Sequence, residues 1–289
     1  MEIIAALHDS TRLPIISPFV DGIVVYSNDF SSFYMKGYNK EEIKEIIKST
    51  TKKVIIDLEF MLENDKLESL SNFIDYFKDD VVYYKFQDLG VFQLLKEKGK
   101  ENYGIYNPNT LITNHYDMNF YLEQGMYAIT VSLEITLADQ IQMLKKRRGK
   151  VFFEVFGYHL MFHSKRKLVS MYKKFIGSDA SLDNYNSFLI EQTRKDKYHI
   201  FESNKGTTLF RPYILSYFDN LDELKDIDLA FINNMFLKNE HYEIVLKVFS
   251  DYKNKLISKE EGLAILGKLP YEFNDGFKYQ DTVYQKESA

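Results

Sequence analysis

The chain has 289 residues, 45% of them hydrophobic, and its 42 acidic side chains outnumber 37 basic ones for a net charge of −5. That balance argues against a generally polyanion-binding surface, so DNA is not an expected partner and any RNA contact must rest on local residues. The complete lack of cysteine excludes disulfides, a thiolate nucleophile and a cysteine-held iron–sulfur cluster in this chain.

The first element, "EIIAAL" at 2–7, reads as a buried strand; "MEIIAALHDSTRL" lacks the charged-then-apolar layout of a signal peptide. β-Branched runs of the same kind recur at 21–28, 53–59, 80–90, 102–107, 127–134, 150–157 and 226–233, and near-continuous apolar runs of this length are what a parallel sheet covered on both faces requires. Helical patterns lie between several of them. "NKEEIKEIIKST" opens on Asn39 with Glu41 and Glu42 in its first turn, "NDKLESLSNFIDYF" follows the third strand, and "TLADQIQMLKKRR" ends in cations, each arrangement suiting the helix dipole. No apolar run approaches the roughly 20 residues of a membrane span, so a cytoplasmic protein without a membrane partner is expected.

Strands alternating with helices predict an α/β fold, and about eight strands in this length favour a (β/α)8 TIM-barrel-like domain over an open doubly wound sheet. No G-x-G-x-x-G follows the first strand, which weakens the dinucleotide-binding alternative. Residues 1–289 read as a single domain. The stretch 158–225 is too long for a simple crossover and reads as an insertion between the seventh and eighth strands.

A barrel gathers its chemistry at the C-terminal ends of its strands. Glu59, Asp88, Asn107, Glu134 and Glu154 fall near such ends, where carboxylates act as acid and base or hold a substrate; each can equally cap the following helix, Asp88 before "LGVFQLLKE" above all. His159 and His163 have the spacing of helical zinc proteases, but Leu160 stands where the general-base glutamate belongs and the run follows a strand, so no metal is expected. The cluster "KKRRGK" (145–150) ends a helix and faces away from the expected site. "SKRK" (164–167) lies beyond the end of a strand beside Tyr158, His163 and Tyr172. Lys165, Arg166 and Lys167 there suit a phosphate or a carboxylate, unless they are simply a solvated loop.

The segment "EVFGYHLMFHSKRKLVSMY" (154–172) resembles the signature of the U32 collagenase-like peptidase family, matching it at Glu154, Val155 and Phe156 and again at Ser164, Leu168, Ser170 and Tyr172. "VVYYKFQDLGVFQLLKEKG", "ITVSLEITLADQI" and the tail "DGFKYQDTVYQKE" resemble further family motifs in the right order. The chain departs from the family at its centre. Tyr158 and His159 replace the family's His-Gly, Phe162 replaces its first cysteine and Lys167 its second.

The resemblance implies two activities: an older peptidase label, and oxygen-independent hydroxylation, including synthesis of 5-hydroxyuridine at the tRNA wobble position with prephenate as hydroxyl source. Members that work in pairs imply a longer, cysteine-bearing U32 paralogue as partner, carrying any iron–sulfur cluster. The favoured expectation is a subunit of the tRNA hydroxylation system, with a peptidase or a non-catalytic scaffold as alternatives; whether the chain is itself an enzyme stays open. Glu134 and Glu154 would be the catalytic or substrate-orienting carboxylates, while Glu59, Asp88, Tyr158, His163, Lys165, Arg166 and Lys167 would bind substrate.

Overall fold

The computed structural model describes residues 1–32, 36–179, 181–193 and 195–280. The chain begins β1 (Glu2–Leu7), α1 (Leu13–Ile16), β2 (Gly22–Tyr26), α2 (Lys40–Ser49), β3 (Lys53–Leu58) and α3 (Leu67–Tyr76). It continues β4 (Val82–Phe86), α4 (Leu89–Glu97), β5 (Gly104–Tyr106), α5 (His115–Glu123), β6 (Ala128–Thr130), α6 (Leu137–Lys145) and β7 (Lys150–Gly157). Residues 158–225 then contribute β8 (Leu160–Ser164), α7 (Leu168–Ile176), β9 (Phe188–Ile190), β10 (Lys197–Ser203), β11 (Gly206–Phe210) and β12 (Ile214–Ser216). β13 (Leu229–Ile232), α8 (Asn239–Lys253), α9 (Lys259–Leu266) and β14 (Phe273–Asn274) complete the described chain.

β13, β1, β2, β3, β4, β5, β6 and β7 follow one another in parallel pairing, and β7 pairs back onto β13 to close the ring. The fold is a (β/α)8 barrel. Along each strand alternate side chains point inward, so Ile4, Val24, Ile55, Ile105, Ala128, Phe152 and Leu229 pack together inside it while the intervening residues meet the helices.

Local chemistry sets the helix starts. Asn39 Oδ1 accepts from the Glu42 amide at 2.8 Å while Glu42 Oε2 accepts from the Asn39 amide at 2.8 Å, a capping box that satisfies two otherwise orphaned donors. At the N-terminal face, Arg147 pairs with Asp226 and Asp228 at 3.5 and 3.4 Å, so that end of the basic run is neutralised within the barrel's floor.

β8, β11, β10 and β9 form a separate four-stranded antiparallel sheet above the C-terminal end of the barrel. α7 is fastened to it by its first turn, where the Glu202 carboxylate accepts from the amides of Val169 and Ser170 at 2.8 and 3.1 Å. None of its side chains is buried. Among the described residues no helix is long and apolar enough to cross a membrane. Asp281–Glu287, the second half of the tail motif, lies outside the described residues.

Candidate active site at the C-terminal mouth of the barrel

The inward parity that packs the barrel continues to its C-terminal end, where it delivers polar groups: Asp57 from β3, Lys85 from β4, Asn107 just past β5, Thr130 from β6, Glu154 from β7 and Asn233 just past β13. On β7 the pairing with β13 slips: Glu154 faces Phe231, whereas Phe156 faces Ile232. The extra residue, Val155, is a β-bulge. Glu154 therefore points inward while Val155 and Phe156 both join the outer core.

Two linked clusters line a cavity of about 60 Å³, room for roughly four to six waters or a small planar ligand. On one side Lys85 Nζ meets Asp57 Oδ2 at 3.2 Å and bonds Glu59 Oε2. The Asn107 amide donates to Glu59 Oε1, and the Thr130 hydroxyl donates to Asn107 Oδ1 at 2.6 Å. Burial pushes the Glu59 carboxyl up; Lys85 offsets part of this and Asp57 adds to it. Burial opposes the Lys85 charge, but Glu59 and Asp57 outweigh it and hold the ammonium well above the ordinary lysine range.

On the other side the Asn233 amide donates to Glu154 Oε1 at 3.0 Å, and His159 Nδ1 lies 3.4 Å from Glu154 Oε2. Burial would raise the Glu154 carboxyl, yet His159, Asn233 and Lys85 together hold it below the usual carboxylate range. Arg211 completes the wall. Its guanidinium donates to Glu134 Oε1 at 2.5 Å and to the Tyr213 hydroxyl at 2.9 Å, with Phe277 4.8 Å beneath it. Phe277 belongs to the tail motif, so the tail supports a residue of the cavity. His159 Nε2 and Arg211 Nε are buried without a protein partner, a condition that costs about 1–3 kcal/mol for each group unless a ligand or water satisfies it.

Glu134 and Glu154 thus line the cavity, and Glu59 stands behind its wall, holding Lys85 and Asn107. The other expected residues lie elsewhere. Asp88 is the N-cap of α4, accepting from the Gly90 amide at 2.8 Å, because the strand end it occupies turns directly into that helix. Tyr158 is buried edge-on to His199 at 4.6 Å and to Phe236 at 5.9 Å; burial pushes its hydroxyl up to about 12. His163 and Lys165 line a separate groove of about 760 Å³ between the insertion and the loops after β2 and β3, where Lys165 pairs with Glu63. Arg166 and Lys167 are exposed. The cationic run fails to reach the cavity because the β8 strand carries it outward.

The cavity's own cations are Lys85 and Arg211. Arg211 follows β11 and carries no sequence signal of its own, whereas Lys85, a charge inside "VVYYKFQ" at the inward parity, is readable as a polar group facing a barrel interior. His159 appears in the sequence as half of a zinc-like pair and as a departure, with Tyr158, from the family's His-Gly. The structure separates that pair: His159 lines the cavity, and His163 bonds Thr208 Oγ1 at 2.9 Å beside the other groove. Among the described residues no group of three or more His, Asp or Glu side chains is placed to hold a metal ion. Phe162 and Lys167, at the family's cysteine positions, offer no thiolate, and Phe162 is 46% exposed on an edge strand, so these residues do not fit an iron–sulfur cluster.

A relative, tRNA hydroxylation protein P2 of Bacillus subtilis (strain 168), is 22% identical over 293 residues, covering 94% of this chain and 95% of that protein. The alpha-subunit of tryptophan synthase from the hyperthermophile Pyrococcus furiosus, in a mutant form, gives a TM-score of 0.45 at 11% identity over 92% of this chain and 98% of that one. The model of peptidase family U32 matches residues 20–280, spanning β2 to the tail and every residue of the cavity. The chain belongs to peptidase family U32.

Proposed function

We propose that this chain is a subunit of a tRNA wobble-uridine hydroxylation system that makes 5-hydroxyuridine. The observation that carries the reading is the match to tRNA hydroxylation protein P2 along 94% of the chain. The cavity suits such a task. Lys85 and Arg211 supply cationic donors for the oxygens of one small planar ligand such as the uracil ring, while Glu134 and Glu154 orient that ring by hydrogen bonding. Glu59 keeps Lys85 and Asn107 in place. The separate groove that carries His163, Lys165 and Lys205 is the surface we assign to the tRNA backbone.

A second element of the proposal concerns a partner. The apolar stripe of α7 (Leu168, Met171, Tyr172, Phe175 and Ile176) repeats at i, i+3, i+4, i+7 and i+8 and lies open, with Phe175 86% exposed. A stripe of that kind ordinarily packs against something. A longer cysteine-bearing U32 paralogue, supplying the redox centre that this chain has no thiolate to hold, is the partner we infer.

The test is nucleoside mass spectrometry of total tRNA from strains with and without the gene. Loss of hydroxyuridine derivatives on deletion is the expected result. Unchanged levels, together with cleavage of gelatin by the purified protein, would move the assignment to the peptidase label.

A further inference from the structure

His159 is the least explained group of the cavity. It is only 3% exposed, its Nδ1 faces Glu154 Oε2 at 3.4 Å, and its Nε2 has no partner. The carboxylate it faces is itself fixed. Asn233 donates to the other oxygen of Glu154 at 3.0 Å, and Asn233 is held in turn by the Met235 amide on its Oδ1 at 3.1 Å and by its own amide on the Phe156 carbonyl at 2.8 Å. The backbone before the ring is unusual: after the bulge at Val155, Gly157 adopts φ +147, and a Cβ there would lie 3.2 Å from Glu154 Oε1. The Arg211 backbone amide donates to the His159 carbonyl at 2.9 Å, which fixes the two main chains side by side on the same wall.

A carboxylate that orients one imidazole nitrogen leaves the other as an acceptor. We propose that His159 is the proton-transfer residue of this cavity and that its substrate is a planar carbonyl compound bearing a conjugated, ionisable N–H, the imide of a pyrimidine base. Nε2 forms a new N–H bond as the substrate N–H breaks. The electron pair stays on the imide and is delocalised onto its oxygens, which face Lys85 and Arg211. Glu154 holds the imidazolium, and the proton returns from Nε2 to the imide nitrogen by the reverse path. Glu154 and Asn233 act here as positioning residues. The identity of the substrate rests on the tRNA reading above; the acid–base pair rests on geometry alone.

Two experiments separate those claims. Ring-nitrogen NMR of the full chain labelled with 15N-histidine, assigned by loss of the signal in His159→Gln, reads the tautomer directly. A neutral ring protonated at Nδ1 and bare at Nε2, shifting toward the other tautomer in Glu154→Gln, is the expected result; a proton on Nε2 with Glu154 intact overturns the proposal. In cells, His159→Gln expressed in the deletion strain is expected to lower hydroxyuridine by at least about a hundredfold while the variant accumulates at wild-type levels. Hydroxyuridine restored to wild-type levels by that variant contradicts the role. If deletion itself leaves tRNA unchanged, the tRNA reading fails and the tautomer alone decides the role of His159.

Discussion

Lys85 shows how one residue links folding to the site. It is buried among Asp57 and Glu59, and a buried pair costs desolvation that its Coulomb energy only partly returns, so removing one member leaves the others stranded. Lys85→Met is expected to destabilise the barrel by about 3–5 kcal/mol in urea unfolding; a loss below about 1 kcal/mol would mean that the carboxylates find other partners. A second group makes stability depend on pH. His199 lies against Phe236 with ring centroids 4.2 Å apart, and burial lowers its imidazole from 6.5 to about 4. Between those values the unfolded chain binds more protons than the folded one, so stability falls as pH drops through that window. His199→Phe, which keeps the aromatic stack, is expected to flatten the decline in unfolding free energy over that range. The same decline in wild type and variant would place the effect elsewhere, His8 being lowered to about 3 by burial.

Elements were more legible than side chains. The eight barrel strands stand out because a parallel strand buried on both faces has to be apolar throughout, and Glu154 is legible because it interrupts such a run near its C-terminal end. His159 and Arg211 could not: the bulge at Val155 breaks the alternation just before His159, and Arg211 follows a strand of the added sheet, so no period leads to either. Asp88 was ambiguous for a plain reason, since a strand-end carboxylate and an N-cap have the same sequence appearance. Gly157 tests the turn that builds the site. A Cβ added there would lie 2.7 Å from Asn233 Cβ at a φ of +147, so Gly157→Ala is expected to cost about 1–3 kcal/mol and to abolish hydroxyuridine formation by displacing Asn233 from Glu154. At α7 the expectation is the opposite. Phe175→Glu should alter unfolding by less than about 0.5 kcal/mol yet stop co-elution with the cysteine-bearing paralogue we propose as partner, and co-elution unchanged by the substitution would remove α7 from the proposed interface.

On the scale of the whole molecule, a closed barrel supplies the polar ring of the cavity while the added sheet supplies its roof through His159, Leu160 and Arg211. The division suits a chain that binds and orients a substrate at the mouth of a rigid scaffold. The most direct measurement of that account is the hydroxyuridine content of tRNA in a deletion strain complemented with wild type, Glu154→Gln or an empty vector. Restoration by wild type and by neither of the others is the predicted outcome. Hydroxyuridine that persists with the empty vector, or that Glu154→Gln restores in full, would contradict it.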